Sequence, residues 1–264
     1  MPAKKNVSYI TQEKVDYHQV KHLLDVYIPS TTDADALFPV LIFIHGGTWI
    51  SGNKEMYAIL GAHFAEKGVL TVIINYRLGD IVTVDRMAED CAAATEWVYR
   101  NIEKYRGDKN RIYLSGHSAG GHLASLVALD RAYHPTVPEE AIKGCILIDA
   151  FGLNISRFIR EHGTFYIQYI EKIFTGHEKT WDKLSPVNFL RPGVCPFQVF
   201  TGGSSYPFLI QDNRLFIDQL KAHQIPHTHR LLPGKSHTQM ITQMENKDNA
   251  LYQTIIDFMA SVKV

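Results

Sequence analysis

Residues 111–129, RIYLSGHSAGGHLASLVAL, leave the chain few folds to choose from. A short apolar run stops at Gly116, Ser118 follows two places on, and a helix of small residues begins. The run reads as a strand buried on both faces, as in a parallel sheet flanked by helices. Bulky side chains two places before and two places after the serine would clash in so sharp a turn, and both places hold glycine. In open parallel sheets, sites gather where strands end in this way.

The remaining apolar runs fit the same plan. LLDVYI and PVLIFIH read as strands joined by the polar turn PSTTDADAL, which predicts an antiparallel edge to the sheet. MYAILGAHFAEKG predicts a helix ended by Gly68, and VLTVIINY a fully buried strand. Met87, Cys91, Ala94, Val98 and Ile102 recur every three or four residues, which predicts a helix over 85–105. RIYLSG, GCILIDA, PFQVFTG and HRLLP supply further strands, and 246–261 a last helix. Strands alternating with helices imply a mainly parallel α/β sheet with helices on both faces. Its 264 residues suit one domain spanning 1–264. Residues 152–192 are too long for one crossover helix and carry Phe158, Phe165, Tyr166, Tyr169, Phe174 and Trp181. They read as a small helical insert over the strand ends, or as two helices packed plainly on the core.

Composition excludes several functions. Lys plus Arg and Asp plus Glu both number 27, so no net charge favours nucleic acid or an anionic membrane surface. No run nears the ~18 apolar residues of a membrane span. Cys91, Cys145 and Cys195 are far apart and form no metal-like pair. The start MPAKKNVSY lacks the apolar stretch of a signal peptide, so a cytoplasmic location is expected, although a trimmed leader would leave the same sequence. His227 and His229 share a strand face, and His117 and His122 are five apart, a poor spacing for chelation. No metal or other cofactor is expected.

Gly116-His117-Ser118-Ala119-Gly120 has the G-x-S-x-G pattern of a nucleophile elbow, with the Ala119 N–H aimed at a developing oxyanion. FIHGGTW, 43–49, follows a buried strand, and its glycines can offer N–H groups. Gly47 is the better donor, with Gly46 and Thr48 beside it. Trp49 either lines an acyl pocket or packs under the loop. His237, in LPGKSHTQM after the final strand, stands where a general base belongs.

HGGTW, NYRL, DKNRIYLSGHSAGGHLA and LPGKSH together resemble α/β-hydrolase esterases. The likeness runs from about residue 22 to the end and is weakest at 152–192. It is to the hormone-sensitive-lipase-like branch, which includes small carboxylesterases, acetyl-xylan esterases and kynurenine formamidases. The resemblance implies an α/β-hydrolase fold: a mostly parallel sheet of about eight strands, helices on both faces and a small helical lid insert. It implies Ser118 as nucleophile, His237 as base, and Gly47 with Ala119 as oxyanion donors. Thr48, Trp49 and Tyr206 are then the expected substrate contacts. Some relatives dimerise through a last strand or helix, and a homodimer is open on that ground. The partner expected is a small acyl ester or amide.

The acid departs from the family. Relatives place it in the loop after PFQVF, which here reads TGGSSYPFLIQDN. Ser205 stands at the expected position, Tyr206 follows, and no acid appears before Asp212. Asp149, at the end of CILIDA, is the first choice, Asp212 the second, and a site without a carboxylate the third. The expected activity is hydrolysis of short-chain or aryl carboxylic esters through an acyl-enzyme. An aryl formamidase, an acetyl-xylan or other carbohydrate esterase, and a catalytically degraded binding protein of the same fold are the alternatives.

Overall fold

The computed structural model describes residues 2–262 apart from 12, 14, 15, 34, 176 and 177, without the side chains of 163–172 and 178. Eight strands form one sheet: β1 (Ala3–Ser8), β2 (Leu23–Tyr27), β3 (Phe38–Ile44), β4 (Leu70–Ile74), β5 (Gly107–His117), β6 (Ile142–Ile148), β7 (Phe197–Gly202) and β8 (His227–Leu232). Their order is β1-β2-β4-β3-β5-β6-β7-β8. The pairs β1–β2 and β2–β4 are antiparallel, and every other pair is parallel.

The antiparallel edge is there, but the expected β2–β3 neighbourhood is not. The link after β2 carries β3 past the place that β4 fills, and β4 then lies between them. The outermost strand, β1, has no apolar run to announce it. Electrostatics hold it instead. Asp25 of β2 accepts the Asn6 N–H at 2.9 Å and pairs with Lys5 and with buried Lys54, each at 2.9 Å.

The helices are α1 (Ala58–Glu66), α2 (Val84–Asn101), α3 (Ala119–Leu129), α4 (Ile155–Phe174), α5 (Glu178–Lys183), α6 (Pro207–Ala222), α7 (Gln239–Thr242) and α8 (Ala250–Ser261). Strand side chains alternate between two cores, which is why the strands read as unbroken apolar runs. Val40, Ile42 and Ile44 lie in one core with Met87 of α2, Leu123 of α3 and Leu220 of α6. Leu41 and Phe43 meet α1 and α8 through Phe64 and Tyr252. The α2 stripe is buried as the spacing requires, but the α-helix stops at Asn101. A 3-10 turn, Ile102–Tyr105, finishes it and ends at left-handed Arg106. Gly68, at φ 84°, follows α1, and its N–H caps the Ala65 carbonyl.

Within 152–192 lie α4, α5 and a 3-10 turn, Pro186–Phe189. Phe158, Ile173, Phe174 and Leu184 join the core beside α2 and α3, and Trp181 packs against it. The side chains of Phe165, Tyr166 and Tyr169 lie outside the described residues. No described helix is long and apolar enough to cross a membrane.

Three buried histidines make the fold acid-sensitive. Burial pushes His45, His117 and His122 each down to about 4. The unfolded chain takes up these protons near 6.5, so between pH 6.5 and 4 it binds more protons than the folded chain, and stability falls as pH drops. At pH 5 each histidine costs on the order of 2 kcal/mol. Thermal melts should therefore show a Tm several degrees lower at pH 5 than at pH 7. Replacing His122 by Gln should flatten that slope, and an unchanged slope would count against His122 as one of the sources.

Candidate active site

The turn between β5 and α3 is as tight as its glycines demand. Ser118 sits at φ 55°, ψ −124°, a strained conformation for a residue with a side chain. Its N–H donates to the Ile148 carbonyl at 3.1 Å, and its own carbonyl accepts from Gly121 at 2.9 Å and Phe151 at 3.1 Å. A Cβ on Gly116 would lie 2.3 Å from the Gly120 backbone, and one on Gly120 would lie 2.1 Å from the Ile44 oxygen. Neither position tolerates a side chain.

His237 lies between β8 and α7. Its Nε2 is 2.9 Å from Ser118 Oγ, and its Nδ1 is 2.7 Å from Asp149 Oδ2. A carboxylate only accepts, so Nδ1 carries the proton and Nε2 is left to take one from the serine hydroxyl. Asp149, just past β6, is fully buried and has φ 47°. Its Oδ1 accepts the Gly202 N–H at 2.8 Å, and its Oδ2 accepts the Ser205 hydroxyl at 2.5 Å. Of the three options open in the sequence, only Asp149 brings a carboxylate to His237. Asp212 instead accepts from the Leu153 N–H and from Arg157 Nη2, both at 3.1 Å, tying α6 to the start of α4. Burial pushes its carboxyl up to about 6, against the pull of Arg157. Ser205 stands at the position where the resemblance implies an acid, and its hydroxyl instead donates to the Asp149 carboxylate at the end of the neighbouring strand.

The loop after β3 faces Ser118. Gly47 has φ 125°, and a Cβ there would fall 2.2 Å from the Ser51 oxygen. Its carbonyl accepts the Ile50 and Ser51 N–H groups, and the Gly46 carbonyl, which shares a peptide plane with the Gly47 N–H, lies 2.8 Å from His45 Nδ1. The Ala119 N–H opens α3 and has no carbonyl inside the helix to bond. Gly46 departs from expectation. Its N–H donates to the Tyr57 hydroxyl at 3.1 Å and is not left for an oxyanion. Glycine is needed there for closeness, because a Cβ would be 2.9 Å from the His117 oxygen.

Trp49 is corrected as a substrate contact. It is 1% exposed, its Nε1 donates to His122 Nδ1 at 3.2 Å, and Phe151 and Phe174 wall in its ring. It props the loop from beneath. Thr48 lines a cleft of about 510 Å3 that also takes in Gly46, Gly47, Ser118 and His237. The cleft walls are largely apolar: Met56, Ile59, Leu60, Ile241 and Met244. Tyr206 is exposed, stacks on Phe208, and its ring lies 5.6 Å from that of His237. The Tyr57 contact, the Ser205 hydroxyl's bond to Asp149 and the stacking of His117 on His237 had no signal in the sequence, since each depends on which strand ends become neighbours. Among the described residues no group of three or more His, Cys, Asp or Glu could hold a metal ion.

The profile of the BD-FAE family matches residues 24–218. The isoprenylcysteine alpha-carbonyl methylesterase ICME of Arabidopsis thaliana is 30% identical over 85% of this chain and 56% of its own. This chain thus spans little more than half the length of that relative. The kynurenine formamidase of Salmo salar is 24% identical over 89% of this chain and 77% of its own. Esterase B of Lactobacillus rhamnosis shares the fold, with a TM-score of 0.82 at 19% identity, over 99% of this chain and 87% of that one. The glycine elbow, the strand order and the family match agree: the chain belongs to the BD-FAE family and has the α/β-hydrolase fold.

Proposed function

We propose that the protein is a serine hydrolase of small carboxylic esters. One observation carries this reading: Ser118, His237 and Asp149 form a continuous relay with links of 2.9 and 2.7 Å. Ser118 Oγ attacks the carbonyl carbon while His237 Nε2 takes its proton. The C=O bond becomes a C–O⁻, which the N–H groups of Gly47 and Ala119 receive. His237 returns the proton to the departing alcohol oxygen as the ester C–O bond breaks. Water then attacks the acyl-serine by the same route, releasing the acid and restoring Ser118. Asp149 holds the imidazole in the right tautomer and balances the charge it gains. The apolar cleft supports an apolar substrate part, and the ester-hydrolysing relative supports the reaction class. Phe151, Phe158 and Phe208 pack together beside Tyr206, which supports residues 152–192 as a small helical cover over the site.

A second reading, aryl formamidase, has one observation in its favour, the likeness to a kynurenine formamidase over 89% of the chain. The machinery is the same, and only the leaving group differs. N-formylkynurenine and p-nitrophenyl acetate assayed side by side should separate them, with the larger kcat/KM marking the class.

Ser118→Ala should lower kcat/KM for p-nitrophenyl acetate at least about a thousandfold while keeping the fold. Equal activity in both proteins would remove Ser118 from the reaction. Asp149→Asn should lower kcat by roughly a hundredfold or more, because the wrong tautomer of His237 is then favoured. Asp212→Asn should instead leave kcat near the wild type and lower Tm, since it touches only the tie between α6 and α4. The opposite pattern would exchange the two roles.

A further inference from the structure

Two histidine rings lie face to face in this site, and the relay uses only one. His117 stacks on His237 with centroids 4.7 Å apart and planes 30° apart. Its Nε2 lies 3.2 Å from the His237 carbonyl oxygen, which can only accept, so the ring proton belongs on Nε2. Nδ1 is then an acceptor, and the Tyr57 hydroxyl faces it at 3.5 Å. The same hydroxyl accepts the Gly46 N–H. One directed chain therefore crosses the site. Gly46 donates to Tyr57, Tyr57 donates to His117, and His117 donates to the main chain of His237.

We propose that His117 is a positioning residue for the reaction, holding the His237 loop by its carbonyl and, through Tyr57, setting that loop against the oxyanion loop. The proposal rests on the ester hydrolase reading. Charge and packing fit the role. The ring is 6% exposed, and burial, with His237 adding to it, keeps it neutral down to about pH 4. The groups that face it are His237 and Tyr57, with Asp149 acting from behind His237. A neutral ring can stack on His237 while that residue gains and loses its proton, and a charged one would oppose the gain. Tyr57 is buried and the His237 carbonyl is partly so, and losing the imidazole would take an acceptor from the Tyr57 hydroxyl and a donor from that carbonyl.

The test has three arms. Wild-type hydrolysis of p-nitrophenyl acetate checks the activity reading alone. Imidazole 15N spectra of the wild type check His117 without any turnover. The ring should stay neutral, with its proton on Nε2, from about pH 5 to 8. A proton on Nδ1, or a charged ring in that range, overturns the proposal even if the enzyme is active. The third arm compares His117→Phe, which keeps a stacked ring, with His117→Gln, which keeps an N–H donor at similar reach. His117→Phe should lose about 10- to 100-fold in kcat, with KM changed less than about threefold. Its acidic limb of kcat against pH should also move. His117→Gln should recover most of kcat. Wild-type kinetics and an unmoved limb in His117→Phe overturn the proposal. So does a His117→Gln no better than His117→Phe when both melt near the wild-type temperature. Should His117→Phe fail to fold, Tyr57→Phe removes one oxygen and keeps its ring. It should lower kcat several-fold at constant KM, and an unchanged kcat overturns the link to the oxyanion loop.

Discussion

The closeness of α3 to the carboxyl end of β3 governs everything built above the sheet. At Gly120 the helix backbone comes so near that an added Cβ would sit 2.1 Å from the Ile44 oxygen and 2.5 Å from the His45 oxygen. Gly116 permits the same approach from within the turn. Because the two segments nearly touch, the first N–H of α3 and the loop after β3 reach the same side of Ser118. A helix held even a side chain's width away would separate them by several ångströms. The glycines therefore set how close the start of α3 comes to the loop after β3, and the proposed site is hung from that frame.

The second requirement is to bury a carboxylate without leaving it unpaired. Asp149 meets it with three donors: a main-chain N–H, a hydroxyl and an imidazole N–H. Two of the three site residues, Ser118 and Asp149, hold left-handed backbone. Such conformations cost of order 1–3 kcal/mol each and persist where the surroundings fix them. Here the surroundings are the adjacent parallel strands β5, β6 and β7, whose ends anchor both residues by main-chain hydrogen bonds.

What the sequence shows and what it hides divide along one line. Strands buried on both faces, the α2 stripe and the elbow glycines are local patterns, and periodicity or sterics alone reveals them. Contacts between distant segments leave no such mark. β1 is polar and is held by Asp25 and Lys54, so no apolar run gives it away. The β2–β4 pairing follows from chain crossing, which turn length does not reveal. Gly46 looks like a donor until Tyr57, eleven residues on, takes its N–H. Trp49 had two places to go, and only the finished core shows that Phe151 and Phe174 close around it. Asp149 was one of several options because the choice depends on β6 and β7 ending side by side, with His237 arriving above both.

The Ser205 hydroxyl on Asp149 bears on how such chains are sorted. The resemblance implies an acid at position 205, and a serine there, judged by that position alone, marks a chain as broken. Yet the carboxylate that reaches His237 here comes from Asp149 at the end of the neighbouring strand, and the Ser205 hydroxyl donates to it. Sequences of this kind are better judged by asking which strand end can deliver a carboxylate to the histidine than by whether one fixed loop position still holds it.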